Sequence, residues 1–273
     1  MNIFTIIEQA FKEDLPSGDI TTDSLAVKNY PGSAKLLAKS DLVLSGSALF
    51  EKCIKHLEPQ AQVKWLFKDG EAILEKQTIC TIKGNLVDII KAERVALNFL
   101  GRFSGIATLT RRFANEVRHT NTKILDTRKT TPLYRVFEKK AVLDGGGKNH
   151  RNDLSDEVMI KENHVRIAES LEKAIDQVRS QTKKFMTVEA HSMEDVQICV
   201  DKSVNRILLD NMDLETLKKA VEKIPNHIET EASGNMTLNR VGKVAETGVD
   251  FISVGALTHS APVADISMIF DWK

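Results

Sequence analysis

Cysteines and aromatic residues are few in this chain, and neither sign of charge is in excess. Cys53, Cys80 and Cys199 are the three cysteines, widely separated and without a CxxC pair. This argues against a disulfide framework or a structural zinc site and suits a reducing cytoplasm. With 11 Phe, 2 Tyr and 2 Trp, the chain lacks material for the stacking platform that single-stranded nucleic acid requires. Lys+Arg and Asp+Glu each number 38, a formal net charge of +0. Binding to nucleic acid or a membrane surface through a net basic field is therefore not expected. No apolar run approaches the ~18 residues needed to span a bilayer. The opening MNIFTIIEQAFKED carries Glu8, Glu13 and Asp14, unlike the basic start of a signal peptide. The expectation is a soluble, cytoplasmic protein.

What is present is patterned. The 273 residues, 42% hydrophobic and 28% charged, suit about two domains or one barrel with an added piece. Ile3, Ile6, Ile7, Ala10 and Phe11 keep the spacing of an amphipathic helix. SAKLLAKSDLVLSG predicts strands joined by a polar turn, and Asp69-Gly70 a hairpin-type turn ahead of the strand QTICTIKG. Helical spacing then runs from about Val87 to Leu100. Residues 1–102 read as a smaller α/β domain with a soft boundary, since no Pro/Ser-rich linker follows.

Residues 103–273 alternate short apolar runs (KILDT, EVMIK, FMTVEA, RILLDN, IETEAS, FISVGA) with amphipathic stretches such as RIAESLEKAIDQV and DLETLKKAVEKI. This predicts parallel β/α units. Charged residues close several of the runs: Arg128-Lys129, Lys161, Glu189 and Asp210. A doubly wound sheet would gather function at one switch point, whereas a barrel builds its site from many strand ends. The reading is an α/β barrel, incomplete at six or seven strands.

Residues 126–164 hold eight basic and seven acidic side chains, so the cations there act as individuals on a small anionic ligand. Arginine binds carboxylate or phosphate through a planar fork, and lysine suits phosphate oxygens. Gly145-Gly146-Gly147 ahead of Lys148 suggests an anion-binding nest of amides, and His150 beside Arg151 a donor to a bound carboxylate. Glu189, Asp210 and Glu231 recur at intervals of 21 residues. Glu189 and Asp210 suit Mg²⁺, ribose hydroxyls or acid–base work. Ser233-Gly234-Asn235 and Val254-Gly255-Ala256, ending the last two units, suit a phosphate bound by backbone amides. A Schiff-base aldolase using Lys161 or Lys129 is the chemical alternative, disfavoured by the other cations.

DTRKTTP, AVLDGGGKNHR, IKENH, VEAHS, LLDNM, EASGN and FISVGALTHS, in this order, resemble the quinolinate phosphoribosyltransferase family. GDITTDSL, LSG and ERVALNFLGRFSGIAT extend the resemblance across the first domain. It implies an N-terminal α/β sandwich, an incomplete barrel and a dimer or a hexamer. It also implies Mg²⁺-dependent transfer from phosphoribosyl pyrophosphate to quinolinate with loss of CO₂, in NAD biosynthesis. Arg94 would enter the neighbouring subunit's site to hold quinolinate with Arg128, His150 and Arg151, and Thr127 would also bind substrate. Lys129 and Lys161 would face phosphoribosyl pyrophosphate, with Glu189 and Asp210 at the ribose and Mg²⁺. The catalytic set would be Lys129, Lys161, Glu189 and Asp210. Ser233, Gly234, Asn235 and Val254 to Ala256 would cradle the 5′-phosphate. The family commonly has Pro-Gly-Leu-Arg where this chain has Pro132-Leu133-Tyr134-Arg135, and a second glycine at Asn235. A molybdenum-transport-associated paralogue, binding or modifying another anion, is the alternative.

Overall fold

The computed structural model describes residues 3–272. In chain order these form α1 (Ile3–Asp14), α2 (Ile20–Ser24), β1 (Pro31–Ala38), β2 (Leu42–Val43), α3 (Ser47–Leu57), β3 (Gln62–Trp65), β4 (Ala72–Ile73), β5 (Thr78–Asn85) and α4 (Leu86–Glu116). The β/α part follows with β6 (Lys123–Leu125), α5 (Arg135–Asp144), β7 (Val158–Ile160), α6 (Glu162–Ala168), α7 (Leu171–Gln181), β8 (Met186–Ala190) and α8 (Met193–Asp201). It ends with β9 (Arg206–Asp210), α9 (Leu214–Lys223), β10 (Glu229–Ser233), α10 (Leu238–Ala245), β11 (Phe251–Ser253), α11 (Ala256–His259) and β12 (Ile266–Asp271). Two compact units contain them: Met1–Arg111 with Thr131–Gly146 and Ser260–Lys273, and Arg112–Thr130 with Gly147–His259. The sequence boundary at 102 lies inside α4, and the units divide that unbroken helix at Arg111.

The first unit is built on an antiparallel sheet in the order β12-β1-β5-β3. In β1, Ala34, Leu36 and Ala38 alternate inward, as a sheet with one covered face requires. The SAKLLAKSDLVLSG strands do not pair with one another. β1 lies between β12 and β5, and β2 pairs with β4. Asp69-Gly70 closes no hairpin, because β3 pairs with β5. The Asp69 carboxylate instead accepts the Gly46 and Ser47 amides at 3.2 Å each, capping α3 from a distance.

The helix predicted from Val87 to Leu100 continues to Glu116 through Gly101 and Gly105. These glycines admit a crossing segment rather than breaking the helix. A Cβ at Gly105 would come 1.9 Å from the Pro262 carbonyl oxygen, and Ala264 donates its amide to the Gly101 carbonyl at 2.9 Å. Here close backbone approach outweighs helix propensity.

The second unit is a parallel sheet in the order β6-β11-β10-β9-β8-β7. All six predicted runs became its strands. β6 and β7, neighbours in sequence, lie at opposite edges, so the barrel is incomplete. Lys148 makes one parallel bridge to Leu125, docking the segment before His150 along the free edge of β6. RIAESLEKAIDQV is two helices, α6 and α7. Glu169 takes φ 73 between them, and the Ser170 hydroxyl caps α7 by accepting the Lys173 amide.

Candidate active site

Parallel strands place alternate residues on opposite faces. The strands of the second unit carry apolar residues outward, and a layered polar set faces the opening at their C-terminal ends. There a cleft of about 630 Å³ adjoins an inner cavity of about 290 Å³. Thr127, Lys129, Lys161, Ser233 and Ser253 line both. Glu189, Asp210, Gly234, Asn235 and Val254 to Ala256 line the outer cleft. Arg128, His150, Arg151, Met159, Leu208 and Glu231 line the inner cavity. The structure thus brings together every predicted site residue except Arg94. That residue lies exposed on α4 in the first unit and lines neither cavity.

The inner cavity is short of negative charge. Arg151 is buried, with Nη1 donating to the Glu157 carbonyl at 3.0 Å. Burial, and next the like charge of Arg128, pulls Arg151 below the usual guanidinium value. Arg128 Nε is buried with no hydrogen-bond partner among the described residues. Two guanidiniums confined against Met159 and Leu208 suit an anion with more than one carboxylate.

Beneath them runs a buried chain of charges that sequence reasoning missed. Arg206 pairs with Glu229 at 2.5 Å and Glu231 at 3.4 Å. Its guanidinium lies 5.1 and 4.5 Å from the Phe185 and Phe251 ring centroids, a geometry for cation–π attraction. Glu231 has no exposure, accepts the Ser253 hydroxyl, and lies 3.3 Å from His150 Nε2. Burial pushes the Glu231 carboxyl up, but His150, Ser253 and Arg206 together outweigh it and hold it below the ordinary glutamate value. His150 Nδ1 accepts the Arg151 amide at 2.7 Å, and the His150 amide is held by Asp126 Oδ1 at 2.8 Å. Both ring nitrogens therefore face protein groups. The even spacing suggested that Glu231 was a strand end like Asp210. Register places it opposite Leu208, with Ser233 opposite Asp210, so Glu231 sits deeper. Glu229 and Glu231 at alternate positions of ETEAS, with Arg206 opening the neighbouring RILLD, were the signal for this layer.

In the outer cleft, Lys161 Nζ reaches Glu189 Oε2 at 2.7 Å. Asp210 accepts Ser233 Oγ and Asn211 Nδ2, each at 2.7 Å. His191, also unforeseen, lies with Nε2 3.1 Å from Glu189 Oε1. Gly234 takes φ 97, and a Cβ there would come 2.1 Å from Asn211 Oδ1. Asn235 follows at φ 48, a conformation asparagine tolerates. Arg240 fixes both loops by donating to the Gly234 and Met212 carbonyls at 2.9 Å each. No side chain caps the N-terminus of α10 at Thr237, so its first amides remain available at the rim of the cleft.

The triple glycine is not an amide nest. Gly145 and Gly146 donate to the Ala141 and Leu143 carbonyls, finishing α5. A Cβ at Gly145 would come 2.5 Å from the Ala107 carbonyl oxygen. At the departure Pro132-Leu133, Leu133 itself takes φ 70, where glycine would be unstrained.

Replacing Glu231 by Gln removes the charge that Arg206 and His150 face. The expected loss at pH 7 is about 3–5 kcal/mol, measured by urea denaturation. The lowered carboxyl stabilises the fold above the ordinary value of 4.5, and this contribution fades as pH falls through and below it. The gap between wild type and variant therefore narrows in acid. An equal gap at pH 7 and pH 3.5 contradicts the assignment.

The family model described as quinolinate phosphoribosyl transferase, N-terminal domain, matches residues 19–104, and its C-terminal counterpart matches residues 106–269. The chain is 41% identical to quinolinate phosphoribosyltransferase [decarboxylating] 2b, mitochondrial, of Nicotiana tabacum, covering 97% of this chain and 81% of that one. It is 38% identical to a probable nicotinate-nucleotide pyrophosphorylase [carboxylating] of Synechocystis, covering 96% and 90%. Among solved structures, the nicotinate-nucleotide pyrophosphorylase of Ehrlichia chaffeensis superposes with a TM-score of 0.95 at 34% identity, over 99% of both chains. A chain with these matches and this strand-end site belongs to the quinolinate phosphoribosyltransferase family.

Proposed function

We propose that this enzyme joins quinolinate to phosphoribosyl pyrophosphate, giving nicotinate mononucleotide, pyrophosphate and CO₂, a step of NAD biosynthesis. One observation carries the reading: two guanidiniums face one small inner cavity, and one has a buried Nε with no partner among the described residues. Quinolinate is a flat ring with two adjacent carboxylates, which match guanidinium forks. Nicotinate, with one carboxylate, leaves a buried cation unpaired, and that penalty is the basis of selection.

The phosphoribosyl group takes the outer cleft. Its 5′-phosphate meets the amides of Gly234, Asn235 and the loop from Val254 to Ala256, and its hydroxyls meet Glu189 and Asp210. The oxygen donors of Glu189 and Asp210, open to the same cleft, fit Mg²⁺ and would hold it directly or through water. When bound, the ion would offset the charge of the departing pyrophosphate. Lys129 and Lys161 act on the same oxygens. The arginines hold the ring nitrogen in line with the ribose carbon as positive charge builds there. Alkylation makes the ring nitrogen cationic, which stabilises the electron pair left on the adjacent carbon as its carboxylate departs as CO₂, and a proton from solvent then takes the vacated position. No protein nucleophile is needed. The ion pair and exposure of Lys161 are the opposite of the apolar pocket that activates a Schiff-base lysine.

The active species is a homodimer, alone or within a hexamer, in which Arg94 of one protomer completes the partner's dicarboxylate site. Among the described residues no helix is long and apolar enough to cross a membrane. The free, buried thiols of Cys53, Cys80 and Cys199 support a cytoplasmic setting.

Arg128→Ala and Arg151→Ala each weaken quinolinate binding by about 30-fold or more, as removal of one partner from a buried charge pair implies. Calorimetry checks this, and near-native affinity in either variant would sink the assignment. Arg94→Ala and Arg128→Ala, each inactive alone, regain about a quarter of wild-type turnover on mixing, because hybrid dimers hold one intact site. A mixture that exchanges subunits yet stays inactive contradicts a shared site.

A further inference from the structure

Lys129 stands beyond β6 at the wall shared by the two cavities. Among the described residues no acid pairs with its ammonium, whereas Lys161 is held by Glu189. A long stem with an unpaired head samples many rotamers, so this lysine is placed by its backbone and its stem. The Thr127 hydroxyl accepts the Lys129 amide at 3.1 Å. The Lys129 carbonyl accepts the Thr258 hydroxyl at 2.8 Å. Gly255 leaves room for the stem beside them, since a Cβ there would come 3.2 Å from Lys129 Cδ.

Thr258 lies on α11 with no exposure. A threonine in a helical turn ordinarily directs its hydroxyl back to the carbonyl three or four residues earlier. Here that carbonyl is Gly255's. It lies farther off, at 3.3 Å, and already accepts the Thr258 and His259 amides at 3.2 Å each. The hydroxyl proton is spent instead on Lys129, 129 positions away in the chain. We propose that Thr258 is a positioning residue for the transfer: with Gly255 it ties Lys129 to the segment that follows β11. A phosphate seated on that segment and the lysine facing the pyrophosphate are thereby kept at a fixed separation. The inference rests on the reading of Lys129 and of Val254 to Ala256 as two ends of the grip on phosphoribosyl pyrophosphate.

Thr258→Val keeps the branched shape and removes the proton, taking a donor from a carbonyl, whereas Thr258→Ser keeps the proton. Turnover at saturating quinolinate and Mg²⁺ is measured for both and for Thr258→Ala, each first checked for a native circular dichroism spectrum. Calorimetry gives quinolinate affinity. Thr258→Val and Thr258→Ala lower kcat about 10-fold or more, since a misplacement of about 1 Å costs up to about 100-fold. Their quinolinate affinity stays within about 2-fold of wild type, and Thr258→Ser keeps kcat within about 3-fold. A second arm repeats the changes on Lys129→Ala. That variant alone loses about 100-fold in kcat, and adding Thr258→Val costs less than about 2-fold more, because both act through one ammonium. Three results overturn the positioning role and leave Lys129 in place: wild-type turnover in Thr258→Val, equal impairment in Thr258→Ser, or the full further loss on Lys129→Ala. Near-native turnover in Lys129→Ala itself overturns the reading of Lys129, and the inference with it.

Discussion

The interior of the parallel sheet is organised around one carboxylate that water does not reach. Glu231 is an anion at zero exposure, and an isolated charge there would cost several kcal/mol. It is tolerated because Arg206 lies on one side, His150 on another, and the Ser253 hydroxyl donates to it. Arg206 in turn needs Glu229 and the two phenylalanine faces. Glu231 and Arg206 are buried against each other, and Glu229 closes the chain at the partly exposed end. The consequence reaches the ligand cavity: the His150 ring lies against Glu231 through Nε2, and its Nδ1 receives the amide of Arg151. The backbone that carries one guanidinium is therefore anchored to a charge at the centre of the fold.

Above that layer, charge is unbalanced on purpose. Cations dominate the inner cavity, and the acids of the outer cleft are paired with Lys161, Asn211 and Ser233. The overall neutrality of the chain hides this separation. A dicarboxylate and a phosphorylated sugar would each meet the chemistry it needs only in its own chamber, with the shared wall at Lys129 and Lys161 between them. The few aromatic residues fit this arrangement, since the proposed grip on the ring runs through its carboxylates rather than through stacking.

The charged strand ends are legible because strand and helix periods differ, which puts Arg128, Lys161, Glu189 and Asp210 at the strand ends from the sequence alone. What could not be read depended on register or on a crossing segment. Glu231 has the same spacing as Asp210 and differs only in its partner across the sheet. Arg206 begins a strand and resembles a solvated charge until Phe185 and Phe251 close over it. Gly101 and Gly105 look like helix breakers until the carbonyls of residues 262 and 264 lie against them. His191 looks like a loop residue until its ring lies 3.1 Å from Glu189.

The central claim is that two cramped guanidiniums select a dicarboxylate and that the chemistry then expels one carboxylate. Turnover with phosphoribosyl pyrophosphate and Mg²⁺, run in parallel with quinolinate and with nicotinate, tests it most directly. The account predicts nicotinate mononucleotide from quinolinate, with one CO₂ released per product, and at most trace product from nicotinate. Equal or faster turnover of nicotinate, or product from quinolinate without CO₂, would contradict it.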